Sequence, residues 1–208
     1  MEKDLHASPI PYLTIEYLLD LYRDYASPQH KVKGLTDNGE IIHIKQGLYL
    51  LGKDYQRNYS REVLSGMIYG PSAISFEYAL AHHGLIPERV ETITCLCFKR
   101  DKIFKTPVGA FTYKYISKKL YPPGLNYHQT ELGNYFMASP EKAICDIVYF
   151  QKNKSLKEAK AYLLEELRIY ENEIQNLDST RLLELTRWYK RESVQVTVDA
   201  IIEIKKAT

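Results

Sequence analysis

Apolar positions in the first fifty residues follow helical spacing and then alternate. Ile15, Leu18, Leu19 and Tyr22 fall at i, i+3, i+4 and i+7, behind Thr14 as a capping side chain and with Glu16 in the first turn. That pattern predicts an amphipathic helix. Ser27-Pro28 pairs a capping residue with a proline already fixed at helical φ, and predicts a second helix that runs to about Asn38 and stops at Gly39. On that helix Val32 and Leu35 point inward, His30, Lys33 and Gly34 point outward, and Gln29 and Lys31 lie on the flanks. Residues 40–51 then read as two short strands around a turn at Lys45-Gln46-Gly47. Helix, helix and β-ribbon in this order form the skeleton of a winged helix-turn-helix.

A polar connector, residues 54–60, separates this part from the rest and divides the chain into candidate domains 1–54 and 60–208. Beyond it, residues 60–68 predict a helix closed by Gly70-Pro71, and residues 72–84 another, capped by Ser75 or Ser72 and ended by Gly84. Residues 92–98 and 110–116 read as strands around a turn rich in Lys and Arg. Ser139-Pro140-Glu141 opens a helix with Ala143, Ile144, Ile147 and Val148 inward. Ser155 and Glu158 form a capping box for a helix through Leu167, and residues 179–207 are helical by pattern. The expected class is α+β: an N-terminal winged helix-turn-helix, then a mixed α/β domain with a helical C-terminal part. Only residues 1–12 remain to supply the first helix of a full winged helix. They contain Pro9 and Pro11 and make a poor one, so the head is expected in full or reduced form.

Composition narrows the class without naming a function. The chain has 208 residues, 45% of them hydrophobic and 26% charged, ordinary globular usage that excludes disordered and low-complexity classes. No apolar run approaches the ~18–20 residues of a membrane span, and Met1-Glu2-Lys3-Asp4 does not open a signal peptide; a cytoplasmic protein without membrane contact is expected. Net charge is only +2, but residues 61–119 carry nine basic side chains against five acidic ones. Lys99, Arg100, Lys102, Lys105 and Lys114, with Lys118 and Lys119, make that stretch a candidate basic interaction surface.

Catalytic and metal signatures are sparse. Cys95 and Cys97 alternate on one face of a strand and read as small buried hydrophobes; no partner pair completes a zinc site. His82 and His83 diverge by about 100° on a helix and cannot share an ion. Glu141, Lys142 and Asp146 could suggest a nuclease or nucleotidyltransferase-like set, yet Glu141 in a first turn is favoured by the helix dipole alone. Phosphate-binding and nucleophile-elbow motifs are missing. The expectation is a binding protein without catalytic residues, cofactor or metal.

A winged helix places its second helix in the major groove and its wing on the neighbouring backbone. Gln29, His30, Lys31 and Lys33 from the helix, with His43, Lys45 and Gln46 from the ribbon, are therefore the candidate DNA contacts. Asp20, Asp24, Asp37 and Glu40 lie nearby in sequence and favour the alternative of an ordinary solvated face.

Ile44-Lys45-Gln46-Gly47-Leu48-Tyr49, followed by Pro71-Ser72-Ala73-Ile74-Ser75-Phe76-Glu77-Tyr78-Ala79-Leu80-Ala81-His82-His83-Gly84-Leu85-Ile86-Pro87-Glu88, resembles the AbiEi antitoxin family. These are the antitoxins and transcriptional regulators of AbiE abortive-infection (type IV toxin–antitoxin) systems. The segments from Phe104 to Tyr113 and from Ser139 to Asp146 are similar to further blocks of that family, and the likeness spans roughly residues 14–150. Ala73 departs from it, standing where the family often has an aromatic residue. The resemblance implies an N-terminal domain that binds and represses its own double-stranded promoter DNA. It also implies a C-terminal antitoxin domain that counteracts a nucleotidyltransferase-like toxin in antiviral defence. Lys99, Arg100, Lys102, Lys105 and Lys114 would belong to the antitoxin domain. The alternative is a protein-interaction module whose degenerate head no longer binds DNA.

Overall fold

The computed structural model describes Leu5, residues 8–152 and residues 155–207. Of residues 1–12, the stretch left for a first helix, residues 1–4, 6 and 7 lie outside the described residues. What the structure shows next is a short strand, β1 (Tyr12–Thr14), leading directly into α1 (Ile15–Leu21). Thr14 Oγ1 accepts from Tyr17 N at 3.2 Å, as its capping position predicts. Then follow α2 (Pro28–Asp37), β2 (Ile41–Lys45) and β3 (Leu48–Leu51). Strand order in this three-stranded antiparallel sheet is β1-β3-β2.

Period-two alternation gives the small sheet two apolar faces. Leu13, Ile41 and Leu51 turn toward α1 and α2 and join Leu18, Tyr22, Val32 and Leu35 in one core. Tyr12, Ile44, Leu48 and Leu50 turn the other way and belong to the larger core that runs through the rest of the molecule. Tyr12 Oη also accepts from Ser60 N at 2.9 Å, tying β1 to the cap of the next helix.

The larger unit is built on α3 (Arg61–Ile68), β4 (Ser72–Ile74), α4 (Phe76–His82), β5 (Ile93–Cys97), β6 (Lys102–Thr106), β7 (Gly109–Tyr115), β8 (Leu125–Thr130) and β9 (Gly133–Ala138). Its six-stranded sheet has the order β6-β7-β5-β4-β9-β8. The pairings β5–β7 and β4–β9 are parallel and the others antiparallel. The molecule is therefore α+β with a mixed sheet. Helices α5 (Pro140–Tyr149), α6 (Leu156–Ala161), α7 (Glu171–Asn176), α8 (Ser179–Tyr189) and α9 (Glu192–Ala207) form the C-terminal part, with a π-helical turn after α6. The predicted capping box at Ser155 and Glu158 is formed. No helix among the described residues is long and apolar enough to cross a membrane.

Two expectations are corrected and one hairpin is added. Of the two candidate caps, Ser75 and not Ser72 stands before α4, which begins at Phe76; Ser72-Ala73-Ile74 is instead a strand between β5 and β9. Lys102 and Lys105 sit on edge strand β6 rather than in a turn. The β8–β9 hairpin carries no strong apolar alternation and escapes the sequence reading; its burial is mostly partial or absent until Met137 and Ala138.

Candidate nucleic-acid interface

Val32 and Leu35 are buried against α1 and the small sheet, which fixes the rotation of α2 about its axis. Gln29, His30 and Lys33 consequently face solvent, as does His43 on the hairpin. Gln29, Lys33 and His43 meet around a cleft of about 270 Å³, with Thr36, Asp37 and Tyr49 in its wall. The His43 and Tyr49 rings lie 5.2 Å apart. Lys31 is held differently. Its ammonium sits 5.6 Å over the Tyr22 ring and 5.5 Å over the Tyr25 ring, half-buried at the back of the helix. Gln46 is exposed in the hairpin turn and Lys45 partly covered beside it.

The acidic residues near this face are mostly engaged elsewhere. Arg23 lies 3.3 Å from Asp20 and 3.8 Å from Asp24, and Glu40 accepts from Tyr55 Oη at 3.5 Å. Among the described residues, Lys31, Lys33 and Lys45 form no ion pair with a carboxylate. Asp37 remains as an exposed carboxylate in the cleft wall.

Lys45 links the two parts of the molecule. Burial holds its pKa below the ordinary lysine value, and the ammonium groups of Lys99 and Lys102 push it down further. Lys99 donates to Gly70 O and lies 5.1 Å over the Tyr69 ring. Lys102 lies 5.8 Å over Tyr69 and 5.1 Å over Phe104. The β2–β3 hairpin, the β5–β6 turn and the start of β6 thus bring three cations within electrostatic reach of one another, two of them, Lys99 and Lys102, seated on aromatic rings. Tyr69 was not singled out in the sequence and carries no local signal, since no basic residue adjoins it; only the fold brings it under Lys99 and Lys102.

Lys105 and Lys114 of the expected basic group do not join this patch. Lys105 alternates to the opposite face of β6 from Lys102, as the register Lys102↔Tyr113 and Lys105↔Ala110 requires. Lys114 is paired with Asp101 at 3.4 Å, and Arg100 is exposed in the β5–β6 turn.

Glu141, Lys142 and Asp146 are interior. Lys142 and Asp146 are 0% exposed. Lys142 Nζ donates to Leu120 O at 2.9 Å, Tyr189 Oη at 2.9 Å and Asp146 Oδ1 at 3.2 Å. Asp146 Oδ2 accepts from Ser75 Oγ at 2.6 Å, and Tyr189 Oη donates to Oδ1. Glu141 accepts from Ser139 Oγ at 2.8 Å and Asp178 N at 3.0 Å. Lys142 and Asp146 thus bind each other, Ser75, Tyr189 and the backbone, while Glu141 lies 3.7 Å from the partly exposed Arg181. Cys95 and Cys97 are buried and free, and burial pushes the Cys95 thiol up to about 12. His83 Nε2 lies 2.9 Å from Ala138 O while His82 is exposed. No group of three or more His, Cys, Asp or Glu is placed to hold a metal among the described residues.

No protein-family model matches the chain, and no curated protein does. A solved structure does. The chain is similar to the RV2827C protein from Mycobacterium tuberculosis, with a TM-score of 0.58 at 9% identity, over 97% of this chain and 78% of that one. At that identity the likeness is one of fold, and it takes in the N-terminal part together with the rest.

Proposed function

We propose that this protein is an antitoxin-type transcriptional regulator that binds double-stranded promoter DNA through its N-terminal part. In this reading residues 12–51 are a winged helix-turn-helix in reduced form, with α2 as the recognition helix and the β2–β3 turn as the wing. The observation that carries it is that Gln29 and Lys33 of α2 share one cleft with His43 of the hairpin, with His30 exposed on the same helix and Gln46 exposed in the hairpin turn. Lys99 and Lys102 add phosphate-binding charge next to the wing. The antitoxin role, with a nucleotidyltransferase-like toxin as functional partner in a cytoplasmic defence system, rests on the family resemblance of the sequence. The interior placement of Glu141, Lys142 and Asp146 favours a non-catalytic protein.

The test is fluorescence anisotropy with a duplex taken from upstream of the protein's own gene. Four phosphate contacts predict a log K against log salt slope of about −3 to −4. Lys33→Ala and Lys102→Ala should each reduce the slope by about 1. A protein that shows no duplex binding at low salt, while still restoring growth to cells expressing the neighbouring toxin, would support the interaction-module reading instead.

A further inference from the structure

A second face of the molecule, remote in sequence from the winged-helix region, has the makings of a ligand site. Arg181, Glu184, Leu185 and Trp188 recur at i, i+3, i+4 and i+7 on α8, so they share one side of that helix. Opposite them runs the connection between β7 and β8, with Lys118, Lys119 and Pro122 on its rim. Between the two lies a cleft of about 700 Å³, within the size range of small-molecule sites.

The lining combines an aromatic platform with two lysines, of which Lys118 rests 5.6 Å over the Phe98 ring. Trp188 is 55% exposed, an unusual position for the largest aromatic side chain, and it borders the cleft. Neither Lys118 nor Lys119 forms an ion pair with a carboxylate among the described residues. Arg181 lies 3.7 Å from the buried Glu141 and stays partly exposed. Glu184 supplies an exposed carboxylate acceptor in the same wall.

The floor of the cleft is held in place from below. Lys142 Nζ donates to Leu120 O at 2.9 Å, and Ser139 N donates to Gly124 O at 2.8 Å. Gly124 has φ +77°, and a Cβ there would stand 2.9 Å from Lys142 Cβ, so the connection packs directly on the buried lysine. The interior network of Lys142, Asp146 and Tyr189 therefore preorganises this site, which lowers the ordering cost of binding.

We propose that this cleft binds a free nucleoside triphosphate, with its base stacked on Trp188 and its phosphates held by Lys118 and Lys119. An exposed indole offers any base a stacking surface, ammonium groups serve phosphate as point charges, and Glu184 can accept from sugar hydroxyls. The site uses none of the residues assigned to DNA, so it stands or falls separately from that reading.

Trp188 is the single tryptophan of the chain, so intrinsic fluorescence of the full-length protein reports on this cleft directly. Titration with ATP should give saturable quenching. Lys118→Ala/Lys119→Ala should weaken binding about tenfold or more, with circular dichroism unchanged. Trp188→Leu, followed by calorimetry, should weaken it by a similar factor of about ten. Absence of saturable quenching at millimolar ATP would overturn the proposal, as would an unchanged affinity in the double lysine variant. Tripolyphosphate binding as tightly as ATP would remove the role of the base. Tighter quenching by a single-stranded oligonucleotide than by ATP would overturn the assignment to a free nucleotide.

Discussion

Replacing Lys142 with methionine keeps most of the side-chain volume and removes the ammonium, leaving Asp146 buried with only Ser75 and Tyr189 to hydrogen-bond it. Breaking a buried pair from one side costs about 3–5 kcal/mol, and Lys142→Met should lower the stability measured by urea unfolding by that amount at neutral pH. The loss depends on pH. Burial raises the Asp146 pKa, against the opposing pull of Lys142 and of hydrogen bonds from Ser75 and Tyr189. A raised native value means that the folded state holds the proton to higher pH than the unfolded chain does. Stability then falls as pH rises from the unfolded carboxyl range through the native value. Without Lys142 that value climbs further, so the deficit of the variant should shrink in acid and grow toward alkaline pH. A deficit that stays constant across that range would mean that Asp146 is not the group left unpaired. Lys31 shows a related subtlety: its ammonium lies over Tyr22 and Tyr25, so Lys31→Ala disturbs packing, and the exposed Lys33 is the cleaner probe of DNA contact.

At the scale of elements, the β2–β3 turn depends on a residue in the left-handed region. Gly47 has φ +80°, and its carbonyl accepts from Ile15 N at 3.0 Å, fastening the turn to the start of α1. A Cβ there would meet Ile15 Cγ2 at an ordinary 3.5 Å, so the cost of Gly47→Ala is conformational, about 1–2 kcal/mol. Thermal unfolding should show a fall in Tm of about 2–8 °C. The elements that were legible in the sequence are those with local signals: the Thr14, Ser139 and Ser155 caps form as their patterns predict. The helix behind Ser155 nevertheless turns π-helical at Tyr162, and Ser27 makes no side-chain cap bond at the start of α2. The strands that were not legible are decided by distant partners. β6 and β8 are the two edges of the larger sheet, where lysines and polar residues replace apolar alternation. β4 is only three residues long, and its pairing with β5 and β9 overrides the helical look of Ser72-Ala73-Ile74. Ala73 is buried there opposite Leu96, so an aromatic ring at that position would have to displace the core. For the candidate site, the residues themselves were readable, but their grouping was not. Lys45 joins Lys99 and Lys102 through tertiary contact, while Lys114 is withdrawn by Asp101.

For the molecule as a whole, the small sheet is the shared wall between two cores. Leu50 is fully buried in the larger core while Leu51, next to it, is buried in the smaller one. Leu50→Ala should cost about 2–5 kcal/mol, and calorimetry should still show one transition, with calorimetric and van't Hoff enthalpies equal, because neither core closes without the sheet. Two separated transitions would show instead that the parts unfold independently. The same wall governs how such a protein could be re-engineered. Grafting residues 12–51 onto a different carrier would leave Tyr12, Ile44, Leu48 and Leu50 without a seat, and an apolar patch of that kind invites aggregation. Should the duplex-binding test succeed, a change of target specificity is therefore better sought by substituting the outward residues of α2 in place than by exchanging residues 12–51 as a module.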